Sequence, residues 1–185
     1  MNTINEQQRK RAIEVMNEYL SAPPGPEGKT PVELSAELDA NRIKLIETEL
    51  KPFLADYLAG KVTLAQFKFK IDSKNKSKTN WLWGFKGIKG QMFFNMVVNK
   101  ADDAEKCDHE LKSALAVPAN EQIASSEIKT FLSYINRLGE QWVSSGKTRH
   151  GIPKVGSIPF FLSYFWQIQA REVYGRFFTQ TQCKQ

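Results

Sequence analysis

The segment Ile158-Pro-Phe-Phe-Leu-Ser-Tyr-Phe-Trp-Gln-Ile-Gln169 sets the tightest limit on the fold. At helical spacing Ile158, Phe161, Leu162, Phe165 and Ile168 share one face, and Tyr164 and Trp166 widen it. Such a helix buries most of its circumference and belongs at the centre of whatever the chain forms. Ser157-Ile-Pro159 opens it, with proline in the first turn, where a missing N–H costs nothing.

The rest of the chain reads as amphipathic helices that can pack around it. Thr3-Ile4-Asn5-Glu6 fits a capping box with Thr3 as N-cap, and Ile13, Met16 and Leu20 follow at helical spacing. Ser21 to Gly28 is rich in proline and glycine and stops that helix. Thr30-Pro31-Val32-Glu33 is a second capping box. From it a stripe of Leu34, Leu38, Ile46, Leu50, Leu54 and Tyr57 runs to about Ala59, with a kink or break expected near Pro52 and Gly60 as the C′ residue. Thr63 to Gln66 caps a shorter helix carrying Phe67 and Ile71. Residues 72–80 read as a polar loop or frayed helix end, and 81–90 as a compact glycine-punctuated turn. Gln91 to Asn99 reads as a buried helix, but Val97 and Val98 leave short strands open within 81–99. Asp102 or Asp103 caps a helix ending near Val117-Pro118. Asn120 caps a long one with Ile128, Phe131, Ile135, Leu138 and Trp142 on its inner face. Ser144 to Gly156 is a glycine-bounded basic loop, and the last residues are polar. The expectation is an all-α fold, an irregular bundle of six or seven helices in a single domain over residues 1–185. Residues 1–29 form an N-terminal helix and Pro/Gly-rich loop that could be appended to it. A chain of 185 residues buries roughly 70% of its unfolded surface and needs no disulfide or metal to hold it.

Net charge is +6, and its distribution matters more than its sum. Between Lys61 and Lys89 there are eight lysines and one acid, Asp72, so that 29-residue segment carries +7 and the remainder −1. Lys68, Lys70, Lys74, Lys76 and Lys78 lead into Trp81, Trp83 and Phe85, with Lys86 and Lys89 among glycines. Lysines neutralise phosphates without choosing a sequence, and exposed aromatic rings stack on unpaired bases. The pattern therefore points to a nucleic-acid contact, mainly to phosphates, with Trp81 as the stacking side chain. Lys147, Arg149 and Lys154 form a second patch if the fold brings the loops together. The rival reading places the aromatic residues in the core or against a protein partner and leaves the lysines to solubilise a loop.

Catalytic patterns are weak. The two histidines, His109 and His150, join no Ser/His/Asp or Cys/His set. Cys107-Asp108-His109 are consecutive, and neighbouring helical positions diverge by about 100°, so they do not converge on a metal. Gly146-Lys147-Thr148 matches the end of a phosphate-binding P-loop, but Gln141 stands where that motif requires glycine and a helix precedes it. The triplets Glu49-Leu-Lys51, Asp72-Ser-Lys74, Glu110-Leu-Lys112 and Glu127-Ile-Lys129 fit the acid-x-Lys part of a nuclease motif, and at least three fall in helices rather than the strands it requires. No catalytic residue, metal ligand or cofactor is expected. A metal-dependent nuclease with an unfamiliar site is the third reading. Cys107 and Cys183 lie far apart and read as reduced thiols of a cytoplasmic protein. The N-terminus has no apolar signal region, no run of about 18 apolar residues offers a membrane span, and no membrane partner is expected.

Two stretches, Trp83-Gly-Phe-Lys-Gly-Ile-Lys-Gly-Gln-Met-Phe-Phe-Asn95 and Ile158 to Gln169, together resemble segments outside the ATPase or nuclease core of prokaryotic defence proteins. The resemblance is to McrB-like modification-dependent restriction factors and spans residues 41–178. It implies DNA recognition or assembly, with a partner nuclease or motor ATPase supplying the catalysis. It implies no GTPase activity here, because the chain has no Walker A sequence.

Overall fold

The computed structural model describes residues 4–75, 85 and 87–172, and among them it contains helices and turns but no strand. In chain order these are α1 (Glu6–Leu20), α2 (Pro31–Leu45), a π-turn (Ile46–Leu50), α3 (Lys51–Leu58) and α4 (Leu64–Asn75). A second π-turn (Ile88–Met92), α5 (Phe93–Lys100), α6 (Ala104–Leu115), α7 (Glu121–Ser144), a 3₁₀ turn (Val155–Ser157) and α8 (Ile158–Gln169) follow. The fold is an all-α irregular bundle, and α2 and α3 form one unbroken helical run through the first π-turn. The strand alternative over 81–99 fails for the described residues of that stretch. Phe93, Phe94 and Val97 repeat at helical spacing and are all buried, so core packing decides against the β-branched preference of Val97 and Val98.

Local chemistry explains most boundaries. Thr30 and Glu33 exchange side-chain bonds with each other's backbone N–H, as do Thr63 and Gln66. Asp103 accepts from the Lys106 N–H and Asn120 from the Ile123 N–H, both at 2.9 Å. α1 begins two residues later than expected. Asn5 and Gln8 make the capping box, which puts Glu6 in the first turn beside the free N–H groups. The expected kink at Pro52 takes the form of the π-turn just before it. The Lys51 N–H reaches back to the Ile46 carbonyl, and the widened turn makes room for a proline ring that lacks its own N–H.

α8 is the centre of the bundle. Ile158, Phe161, Leu162, Ser163, Tyr164, Phe165, Trp166 and Ile168 are buried on it. α6 and α7 pack on it, and both π-turns touch it. Phe161 and Phe165 connect a network of rings that includes Phe67, Phe85, Phe93, Phe94 and Phe131. α8 also completes its neighbour. The Trp166 indole N–H donates to the Ala114 carbonyl at 3.0 Å, and the Gln169 amide donates to Leu115 at 2.7 Å. Those are terminal carbonyls of α6, which have no partner inside their own helix.

The predicted stripe on α2–α3 is only half inside. Ile46, Leu50, Leu54 and Tyr57 are buried, but Leu38 is 43% exposed and α2 buries no residue. α1 buries none either. No helix among the described residues is long and apolar enough to cross a membrane.

Candidate polyanion interface

The lysine-rich segment does not form the open platform that its sequence suggests, as far as it is described. It enters α4, whose Phe67 and Ile71 point into the core and leave Lys68, Lys70 and Lys74 on the flanks. Each of these three meets a carboxylate. Lys68 pairs with Asp72 at 2.6 Å, one turn along the same helix. Lys70 and Lys74 converge on Glu49 of the π-turn at 3.1 and 2.6 Å. Lys68 also lies over the Phe94 ring and Lys70 over Phe53, so their stems line apolar surface. Lys61 pairs with Asp56. Lys89 is exposed with no ion pair among the described residues. Lys76, Lys78, Trp81 and Lys86 lie outside the described residues. Phe85, by contrast, is fully buried and stacks on Tyr164 at 4.3 Å, so it is a core residue and not a docking one.

Glu49 carries a testable consequence. Its hydrogen bonds from Lys74 and Lys70 hold the carboxyl below the ordinary glutamate range. A lowered native value means that its stabilisation is complete above the unfolded value and lost as pH falls through the native one. The side chain is 37% exposed, so water screens the pairs and Glu49→Gln should cost less than about 1 kcal/mol at neutral pH. The difference in melting temperature between the two proteins should shrink on acidification. A gap that widens in acid would contradict these pairings.

The second basic patch has a different character. From Gln141 to Arg171 the chain contains no acidic residue. α7 ends at Ser144. Gly146 follows at φ 80°, a left-handed conformation suited to glycine, and its N–H returns to the Val143 carbonyl. The loop beyond is tied back by Trp142, whose indole N–H donates to the Thr148 carbonyl at 3.0 Å. Pro153 is buried, and Gly139 on α7 lets Ile152 settle closely, since a Cβ there would lie 3.1 Å from Ile152 Cγ2. Anchored at these points, the loop exposes Lys147, Arg149 and Lys154.

A fourth cation joins from a different element. The Lys100 ammonium, at the end of α5, sits 3.6 Å from the centroid of the Trp142 ring, and the Lys147 ammonium sits 3.9 Å from it. Gly151, at φ 76°, passes beside Lys100, where a Cβ would lie 3.7 Å from Cε. The electron-rich indole face holds both cations, each by about 0.5–1 kcal/mol at an exposed site. None of Lys100, Lys147, Arg149 and Lys154 has a carboxylate partner among the described residues, unlike the lysines of α4. Beside them lies a cleft of about 370 Å³ between α7 and the loop, with Arg149 on one wall and Glu140 on the other. Lys147, Arg149 and Lys154 are legible as a patch in the sequence, whereas Lys100 and the cation-bearing face of Trp142, which falls on the expected inner stripe of α7, are not. The acid-free run from 141 to 171 was the available signal.

The groups with catalytic overtones are held apart or buried. Cys107 is in the core, where burial pushes its thiol up and so away from the reactive thiolate. Asp108 is engaged by Lys112 at 2.6 Å. No group of three His, Cys, Asp or Glu side chains suited to a metal ion occurs among the described residues. All four acid-x-Lys triplets begin in helical segments. Compared with protein-family models, with curated proteins and with solved structures, the chain matches none of them. The likeness to McrB-like factors therefore rests on the two quoted stretches alone. In the structure, Phe85, Phe93 and Phe94 of the first and most of the second are core.

Proposed function

We propose that the protein is a non-catalytic nucleic-acid-binding module, DNA being the first candidate, whose described contact surface is the loop Lys147–Lys154 together with Lys100. One observation carries this reading: Lys100 and Lys147, from two elements, both sit on the Trp142 ring, and neither they nor the exposed Arg149 and Lys154 of the same loop form an ion pair among the described residues. Unmatched like charges held close together repel one another, and a phosphate backbone relieves that repulsion while releasing its counterions. The paired lysines of α4 are the weaker part of the proposal, because a phosphate would first have to displace Glu49 or Asp72. A defence-system setting, with a nuclease or motor ATPase as partner, is the finer form of the same proposal.

The test is salt-dependent binding of labelled DNA by fluorescence anisotropy. The triple variant Lys147→Glu, Arg149→Glu, Lys154→Glu should bind all sequences more weakly. If those three side chains meet phosphates, its slope of log affinity on log salt should fall by roughly two to three. Lys68→Glu, Lys70→Glu, Lys74→Glu should have the smaller effect. Unchanged affinity in the first variant would remove the loop from the interface.

A further inference from the structure

Phosphate binding at the cationic loop leaves the indole of Trp142 with nothing to do but hold cations. α7 carries the ring, and the bond from its N–H to the Thr148 carbonyl fixes its tilt. The side chain is half-buried, so part of it meets solvent. The Lys100 and Lys147 ammonium groups stand 3.6 and 3.9 Å from the ring centroid. At those distances each lies over a face, since an approach in the ring plane would be stopped about 5 Å out by the ring's own edge. Nor do they share a face. Two nitrogens so near one centroid on the same side would lie within about 3.5 Å of each other, and two unbalanced positive charges do not settle there. One cation therefore covers each face of the indole.

The two faces differ. Lys100 is half-buried at the end of α5, and the Gly151 backbone runs beside it, where a Cβ would lie 3.7 Å from Cε and 3.8 Å from Nζ. That side is backed by the protein. Lys147 is exposed, follows the left-handed Gly146, and holds its face through the ammonium of a flexible four-carbon stem. Such a hold is weak at an exposed site. The Lys147 side is thus a removable cover over a flat aromatic surface. Phosphates supply the means of removing it. Lys147, Arg149 and Lys154 are all exposed without an ion pair among the described residues. A strand whose phosphates engage them draws the Lys147 ammonium off the ring and brings a base to the vacated face. Only an unpaired base can take that place, because a base inside a duplex has both of its faces stacked already.

We propose that the Lys147-covered face of Trp142 is a stacking site for one unpaired base, which makes single-stranded nucleic acid the ligand of this surface. The inference rests on the nucleic-acid reading above and adds the strandedness of the ligand and the side chain that senses it. Lys100 backs the ring from the far side, and Lys147 exchanges the ring for a phosphate as the base arrives.

Fluorescence anisotropy with two labelled probes tests this: an oligothymidylate, and a chain of the same length and charge whose residues lack bases. The two offer the same phosphates and differ only in what can stack. The protein should bind the thymidylate roughly 5- to 150-fold more tightly, the range for one stacked base. Trp142→Leu should abolish most of that preference, while its affinity for the abasic chain stays within about twofold and its salt slope is unchanged. Trp142→Phe keeps a flat ring but loses the N–H bond to Thr148, and should retain the preference. A preference that persists in Trp142→Leu overturns the proposal. A loss shared by both probes, a lowered salt slope, or a phenylalanine variant as weak as the leucine one also overturns it, because Trp142 would then only position the loop. Equal binding of both probes by the unaltered protein, with a normal salt slope, removes the stacking site and leaves the phosphate interface standing. Absence of salt-dependent binding to either probe removes both.

Discussion

Phe161→Ala should be the most damaging single truncation in this protein, lowering its unfolding free energy by about 3–5 kcal/mol. The Phe161 ring lies 5.0–6.3 Å, centroid to centroid, from those of Phe85, Phe93, Phe94, Phe131 and Phe165. Those rings come from the turn at Phe85, the start of α5, the middle of α7 and the next turn of α8, and each is buried. Removing their common neighbour leaves a cavity that no single side chain can collapse into, so the loss includes the unfilled space as well as the burial of one phenyl group. Domains of this size are commonly stable by only about 5–15 kcal/mol, so the variant should lose a large share of its stability. Denaturant unfolding followed by circular dichroism reads it directly. A shift below 1 kcal/mol would mean that α8 is not the centre of the bundle.

Gly90→Ala should cost about 3 kcal/mol, near the upper end for overpacking. The reason is space rather than backbone angle. A methyl group at Gly90 would press into the Phe85 carbonyl oxygen and lie 2.8 Å from Phe85 Cδ2 and 2.9 Å from its carbonyl carbon. Phe85 cannot step aside easily, because its ring is fully buried against Tyr164 and its carbonyl accepts the Gln91 N–H at 2.6 Å. The second π-turn therefore depends on a bare Cα at this position. Gly28, where a Cβ would meet nothing, is the contrasting case, but there the left-handed backbone is the constraint. Thermal unfolding should show Gly90→Ala melting well below the parent protein. Equal melting temperatures would indicate that the turn can open without consequence.

The helical class, the caps and the central position of α8 were legible because each depends on residues close in sequence. Thr30 with Glu33, Asn120 with Ile123, and the apolar circumference of α8 are contained within a turn or two. The exposure of Leu38 was not legible. A stripe reports that a helix has an apolar side, not how far its neighbours extend to cover it. The pairing of the α4 lysines was hidden for a related reason. Lys70 and Lys74 lie far along the chain from Glu49, and only folding brings that carboxylate between them. Counting lysines within a window gives the formal charge of the window, whereas a phosphate responds to the charge left unbalanced in space. The same rule explains Lys100. It arrives at the basic loop from the end of another helix and is invisible to any window centred on Lys147.

The position of α8 in the chain also bears on how the molecule is made. The hub of the aromatic network follows the other seven α-helices of the described residues in order of synthesis, and two of its side chains finish the carboxyl end of α6. A nascent chain that has not yet delivered Ile158 can form turns of helix but has nothing to gather them around. Cooperative folding must therefore wait for the ribosome to release residues beyond Gln169. Until then Phe67, Phe93, Phe94 and Phe131 lack the partner that covers them in the finished structure, and chaperone contact should concentrate in that interval.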